Sequence, residues 1–296
     1  MDKGPGQLKR RHRTLLQILV LMIGVGLVGT PCPADTRDVN HPDSFCITRF
    51  DGGTINWRTG TIATVGKAFP SDSRETVVEA VPGEARAAAN RQIIELLQQI
   101  KINPLMRVGD YAAKNDIILA GLEKTARDAV VKRQVYTSAL AVEILVETSM
   151  YGGFLQLVLP DEIRQIPKIS PQLNPKEVSS AAQPAATGLI VDARGLGIEP
   201  TLTPIIVSEQ GHEVYSSVFI SREFAVQNGV SKYVCSMEEA LADRRVGGSP
   251  LIFKSLRKET RSKTAFVISM SDYQTLEKIP ERHRFLSECR VVIVID

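Results

Sequence analysis

Aromatic residues make up only 5% of this 296-residue chain, with a single Trp, and there are four Cys and four His. With no Cys-x-x-Cys and no His-Glu-x-x-His, no zinc-ligand spacing is present. A Walker-type phosphate loop and a Gly-x-Ser-x-Gly nucleophile elbow are also missing. No apolar run reaches the roughly 20 residues a membrane-spanning helix needs, and no repeat occurs at solenoid periods. What remains is ordinary in bulk: 43% hydrophobic and 23% charged. These values exclude wholesale disorder, a collagen-like repeat and a polytopic membrane protein. The length allows roughly two domains.

The first 34 residues read as a secretory signal. Lys3, Lys9, Arg10, Arg11 and Arg13 form a basic stretch, Leu15 to Val28 is apolar apart from Gln17 and the glycines, and Cys32-Pro33-Ala34 offers cleavage after Ala34. Gly29 and Pro31 stand where a lipobox has an aliphatic and a small residue, so Cys32 is not expected to carry lipid. The formal charge of +3 belongs to this segment, which holds five basic groups and one acidic. Residues 35–296 retain 31 basic and 32 acidic groups, net −1, and give no global argument for nucleic-acid binding. The expected location is the periplasm. An oxidising compartment permits a disulfide. Cys235 with Cys289 is the expected pair, the alternative being three buried thiols at Cys46, Cys235 and Cys289.

A segment with four prolines (Pro167, Pro171, Pro175, Pro184), interspersed with Ala and Ser, divides the chain. It separates an α+β domain at 45–165 from a second mixed domain at 188–296, with residues 166–187 as linker. In the first, alternation of Ile55, Trp57, Thr59, Thr61, Ala63 and Val65 predicts one strand ending at Gly66. Pro82-Gly83 open a helix to about Lys101, with Ala85, Ala89, Ile93, Leu96, Leu97 and Ile100 as its apolar stripe. Asp110 is the expected N-cap of a second helix to about Lys124. Two β-rich runs follow, 129–136 and 139–148, the second with Leu140, Val142, Ile144 and Val146 on one face and Glu143 and Glu147 on the other.

In the second domain, strands are expected at 189–191, 251–253, 265–268 and 290–295, and a hairpin at 205–215 turning on Gly211. Helices are expected over 237–244 and 272–278, the latter capped by Ser271. The order strand–helix–strand over 265–295 allows a parallel pair there.

Several groups of residues carry a resemblance. They are Gly53-Thr54-Ile55-Asn56-Trp57, the Ala/Arg-rich helix with Leu96-Leu97-Gln98-Gln99-Ile100, the run Val142 to Val146, and Tyr151-Gly152-Gly153-Phe154-Leu155. Residues 45–160 resemble the small outer-membrane lipoprotein family of about twenty kilodaltons, and are similar to the N-terminal domain of flagellar assembly protein T. The resemblance implies an exported, non-catalytic α+β module among envelope proteins, such as an outer-membrane or flagellar assembly. It implies no cofactor and transfers no catalytic residue.

Asp192-Ala193-Arg194-Gly195-Leu196-Gly197 is the best motif for a ligand. Gly195 and Gly197 after a strand let backbone amides approach an anion. Pro200 stands where a dinucleotide fingerprint has its third Gly. The alternative is a turn in which Asp192 and Arg194 form a structural ion pair. Trp57 is either core or a glycan platform. The basic run 257–263 is either a solvated loop or a peripheral contact with anionic headgroups. Ser269 or Ser271 with Asp272 and His283 is a conceivable Ser–His–Asp set without a supporting motif. The reading is a non-enzymatic periplasmic binding or assembly module; the alternative is a small-ligand or cell-wall glycan binder using the second domain.

Overall fold

A computed structural model describes residue 1 and residues 46–70, 77–138, 141–161, 163, 185–259 and 265–296. The expected signal, Cys32 and nearly all of the proline-rich linker lie outside the described residues. Pro42–Asp296 forms one compact unit, of mixed α+β build, and the elements below all belong to it.

Its first half is a five-stranded antiparallel sheet, in order β1-β2-β3-β5-β4. The strands are β1 (Ile47–Phe50), β2 (Gly53–Asn56), β3 (Thr61–Ala68), β4 (Val130–Tyr136) and β5 (Val142–Ser149). The single strand expected over 55–65 is in fact a hairpin. The Asn56 side-chain oxygen accepts from the backbone N–H of Arg58 at 3.0 Å and of Thr59 at 3.2 Å, and Gly60 closes the turn at φ 68°. This Asx turn resets the alternation. β3 therefore buries Ile62, Thr64 and Ala68 rather than the opposite parity, and Gly66 lies within the strand.

Helix α1 (Val77–Gln99) covers this sheet. All six residues of the expected stripe are buried, Ile100 just past the helix end. Pro82 lies inside the helix instead of opening it. The approach to the sheet is close. A side chain at Gly66 would collide with the Ala85 carbonyl and with Ala89, and the buried Thr64 hydroxyl donates to the Ala89 carbonyl at 3.0 Å. The second expected helix is two: α2 (Val108–Ala112) and α3 (Asp116–Arg127). Asn115 caps α3, accepting from Ile117 N–H at 3.0 Å, while Asp110 accepts from Arg107 N–H at 2.9 Å within the short first turn. Helix α4 (Gly153–Val158) ends this half.

The second half carries two four-stranded sheets. One is wholly parallel: β10 (Pro250–Lys254), β6 (Gly188–Asp192), β13 (Val291–Val294) and β9 (Lys232–Val234), in that spatial order. The other runs β11 (Arg257–Lys258), β12 (Ala265–Ile268), β7 (Ile205–Ser208), β8 (Glu213–Tyr215). The expected hairpin is there, with Gly211 at φ 83°. Leu189, Ile190 and Val191 and all four residues of β13 are fully buried, because both faces of the parallel sheet are covered. β12 and β13 do not pair; they sit in different sheets, β13 between β6 and β9.

The helices of this half are α5 (Arg222–Asn228), α6 (Met237–Ala242), α7 (Met270–Glu277) and α8 (Arg282–Ser287). The cap of α7 is Ser269 rather than Ser271, two residues earlier than expected, accepting from Asp272 N–H at 3.0 Å.

The halves interlock. Trp57 is buried and meets Tyr233 edge-on, ring centroids 5.8 Å apart. Leu202 N–H donates to the Lys101 carbonyl at 2.9 Å, and the Thr203 hydroxyl to Ile102 at 2.6 Å. Arg222 reaches back to the carbonyls of Gln156 (2.8 Å) and Pro160 (3.0 Å), satisfying the end of α4.

A disulfide joins Cys46 to Cys235, with Cα atoms 6.0 Å apart, and this corrects the expected Cys235–Cys289 pair. Strands β9 and β13 are parallel. Cys235 follows the end of β9 whereas Cys289 precedes the start of β13, so the two lie at opposite ends of the sheet. Cys289 is a buried free thiol.

The bridge spans 189 residues of sequence, and chain-entropy reasoning assigns such a loop up to about 5 kcal/mol of constraint on the unfolded state. Cys46→Ser is expected to lower the unfolding free energy measured by urea titration by up to about 5 kcal/mol, while circular dichroism stays native, because the hydrogen bonds above persist. An unchanged midpoint would show that the bridge contributes nothing.

Candidate functional site

The strand–turn motif sits at the carboxyl edge of the parallel sheet, where α/β sheets commonly hold ligands. Asp192 is the last residue of β6. Arg194 turns back on it with both Nε and Nη2 at 2.8 Å from the two carboxylate oxygens, and its N–H lies 3.2 Å from Oδ1. Gly195 N–H donates to Asp296 Oδ2 at 2.6 Å; Gly195 and Gly197 have φ of 79° and 53°. The fork-to-fork pair thus fills Asp192's acceptors with Arg194, and the Gly195 amide with a carboxylate of the same chain. Arg194's hydrogen bonds, opposed by burial, hold the Asp192 carboxyl below its ordinary value. The structural ion pair is the arrangement observed.

The other sequence candidates separate. Ser269 is occupied as a cap, and among the described residues no hydrogen bond or ion pair joins it, Ser271 or Asp272 to the exposed His283. Burial pushes the Cys289 thiol up to about 12, which removes it as a nucleophile near neutral pH. Trp57, being core, presents no glycan platform. In the basic run, Arg257 and Lys258 form β11, and residues 260–263 lie outside the described residues. The described residues hold no group of three or more His, Cys, Asp or Glu able to bind a metal.

The most accessible strand among the described residues of the first half is β4. All seven of its residues, Val-Val-Lys-Arg-Gln-Val-Tyr, are exposed, with Val130 and Tyr136 each 60% accessible. Among the described residues it is an edge strand paired only with β5. Register explains the exposure on both faces. Val131, Gln134 and Tyr136 pair with Val146, Ile144 and Val142, so they share the helix-covered face of the sheet. Yet α1 lies over β3 and β5 and stops short of β4. A bulge between Val131 and Arg133 interrupts the strand, and Lys132 turns to Glu147 at 3.3 Å. Bulges and lysines limit indiscriminate edge pairing. Here they leave two apolar stretches, Val130-Val131 and Val135-Tyr136, on either side of a basic centre. The sequence shows this run as β-rich; that it is an outer strand follows only from the strand order.

The pair at Asp192 sets a pH test. A depressed carboxyl pKa contributes stability that is present above the unfolded value, near 4, and is lost as pH falls through the folded one. With Arg194 largely solvated, the contribution is under about 1 kcal/mol. Asp192→Asn is expected to cost that amount at pH 7, with the gap from the parent protein closing below about pH 4. Denaturant titrations at the two pH values measure it; a gap that persists in acid would mean the side chain acts through packing.

Residues 188–296 are similar to a family model described as Treponema pallidum Tp0624, second domain. No curated protein matches the chain.

Proposed function

We propose that the protein is a non-enzymatic binding or assembly module of the cell envelope, exported to the periplasm, which takes up an extended partner segment along β4. The observation that carries this reading is the full exposure of β4 at the sheet edge. An added strand would complete the backbone pairing there, and Val130, Val131, Val135 and Tyr136 would supply side-chain selectivity. The basic centre, Lys132-Arg133, favours an acidic segment and opposes pairing with a second copy, in which like charges would face each other. The disulfide supports an oxidising compartment, as does the signal-like N-terminus. The resemblance of residues 45–160 to envelope modules points the same way.

A photo-crosslinking residue at Val135 in the native envelope is expected to capture a discrete partner, recovered from the periplasmic fraction on a chain starting at Asp35. The double variant Val131→Lys/Val135→Lys should lose the adduct with less than about 0.5 kcal/mol change in stability, since both positions are on the surface. Adducts no different from those of a control at exposed Glu123 on α3 would overturn the docking role of β4. A chain confined to the cytoplasm would overturn the location.

A further inference from the structure

The opposite end of the parallel sheet carries a cleft of about 910 Å³. It lies at the amino edge, where Lys232 begins β9 and Arg290 precedes β13. The first half contributes Arg58, Thr59 and Tyr151 to its wall; the second contributes the rest. Backbone geometry brings these walls together. The Tyr151 ring fits between Gly60 and Gly229, both with positive φ, and a side chain at either would strike it. Gly152 N–H donates to the Val226 carbonyl at 2.8 Å.

The charges in the cleft do not balance. It is lined by five cations and three carboxylates. Three pairs are made: Arg58 with Glu239 at 2.6 Å, Lys232 with Asp243 at 2.5 Å, and Arg290 with Glu288 at 2.7 Å. Arg284, outside the lining, also holds Glu288, at 3.1 Å. Among the described residues, two adjacent cations, Arg244 and Arg245, have no carboxylate on their side chains.

They differ in kind. Arg245 is half-buried and pinned by neutral acceptors: the carbonyls of Gly229 (3.1 Å), Cys289 (3.0 Å) and Asn228, at the end of α5. Carbonyls fix its direction without cancelling its charge. Its charge is felt nearby. Tyr151's hydroxyl is raised by burial, and Arg245 opposes that rise. Asp243 is raised by burial but lowered more by Lys232's hydrogen bond, Arg245's N–H and the two positive charges, ending below its ordinary value and so ionised. Arg244 is exposed at the mouth and makes no hydrogen bond or ion pair with another described residue. A concave wall with a net charge of +2 concentrates anions, and low-dielectric walls strengthen the effect.

We infer that this cleft is an anion-binding site for a small ligand bearing two phosphate or carboxylate groups. Arg245 supplies a fixed positive floor, and Arg244 supplies a mobile fork that can engage a planar carboxylate or a phosphate in bidentate fashion. Thr59 and Tyr151 line the facing wall. Such a ligand would touch both halves of the molecule. This site is independent of β4 and of the Asp192 pair.

The probes are inorganic pyrophosphate and tartrate, titrated by calorimetry and thermal unfolding with the full exported chain, at matched ionic strength. Saturable binding of one or both is expected. Pyrophosphate alone would mark a phosphate ligand, and tartrate alone a carboxylate ligand. Arg244→Ala should weaken binding at least fivefold while leaving the ligand-free Tm unchanged, and Arg244→Lys should restore part of it. Val131→Lys/Val135→Lys should bind the probe like the parent, so failure here is distinct from failure of the docking reading. No saturable response to either probe up to 10 mM (roughly the weakest affinity of interest), or an affinity indifferent to Arg244→Ala, would overturn the inference.

Discussion

The covalent bond between Cys46 and Cys235 clamps the seam between the two halves, and the rest of the molecule is arranged about that seam. It ties the residue ahead of β1 to the end of β9, so the outer strand of one sheet and the outer strand of another are held side by side. Around it the contact of Trp57 with Tyr233 and the hydrogen bonds from Leu202 and Thr203 join the two halves. One continuous apolar cluster runs through both halves as a result. The Gly60–Tyr151–Gly229 stack then follows at the amino edge of the parallel sheet. Neither half alone provides both walls of the cleft. The same clamp occupies the β1 end of the first sheet, so β4 is the end left for other contacts.

The two ends of the parallel sheet show contrasting electrostatics. At the carboxyl edge, Asp192 and Arg194 neutralise each other in a bidentate pair, and the chain's own Asp296 takes a turn amide. At the amino edge, the Arg245 side chain is held, among the described residues, by carbonyls alone. A guanidinium bound to neutral acceptors keeps its field; one bound to a carboxylate loses most of it. The usual preference of α/β sheets for ligands at the carboxyl edge is therefore set aside by local charge.

Much of the fold was legible because periodicity reports burial directly. The α1 stripe from Ala85 to Ile100, the β5 alternation through Val142, Ile144 and Val146, and the hairpin about Gly211 are all where the pattern puts them. Long-range relations were not legible. Alternation through Ile55 to Val65 ran across a turn because Thr59, Thr61 and Ala63 fit either face; only Asn56 and Gly60 carried the turn signal. β9 is three residues long and α5 is seven, too short for a period to register. The partner of Cys235 depended on strand direction, which distinguishes the two ends of β9. The motif at Asp192 was visible, and so was its ion-pair reading. The cleft was not, since Arg58, Tyr151 and Arg244 are far apart in sequence and meet only through the interlocked halves.

The place of β13 between β6 and β9 has a consequence for how the chain is made. Every other strand of that sheet precedes it, and β6, more than a hundred residues earlier, has β13 as one of its two partners. Until Val294 has been synthesised, β6 and β9 have no strand between them and the parallel sheet is incomplete. The second half must therefore stay open during elongation and close late, by contacts of large sequence separation that form slowly. An exported chain would cross a membrane in that open state, and the late closure would keep it fit for passage while exposing it to holding factors on the way.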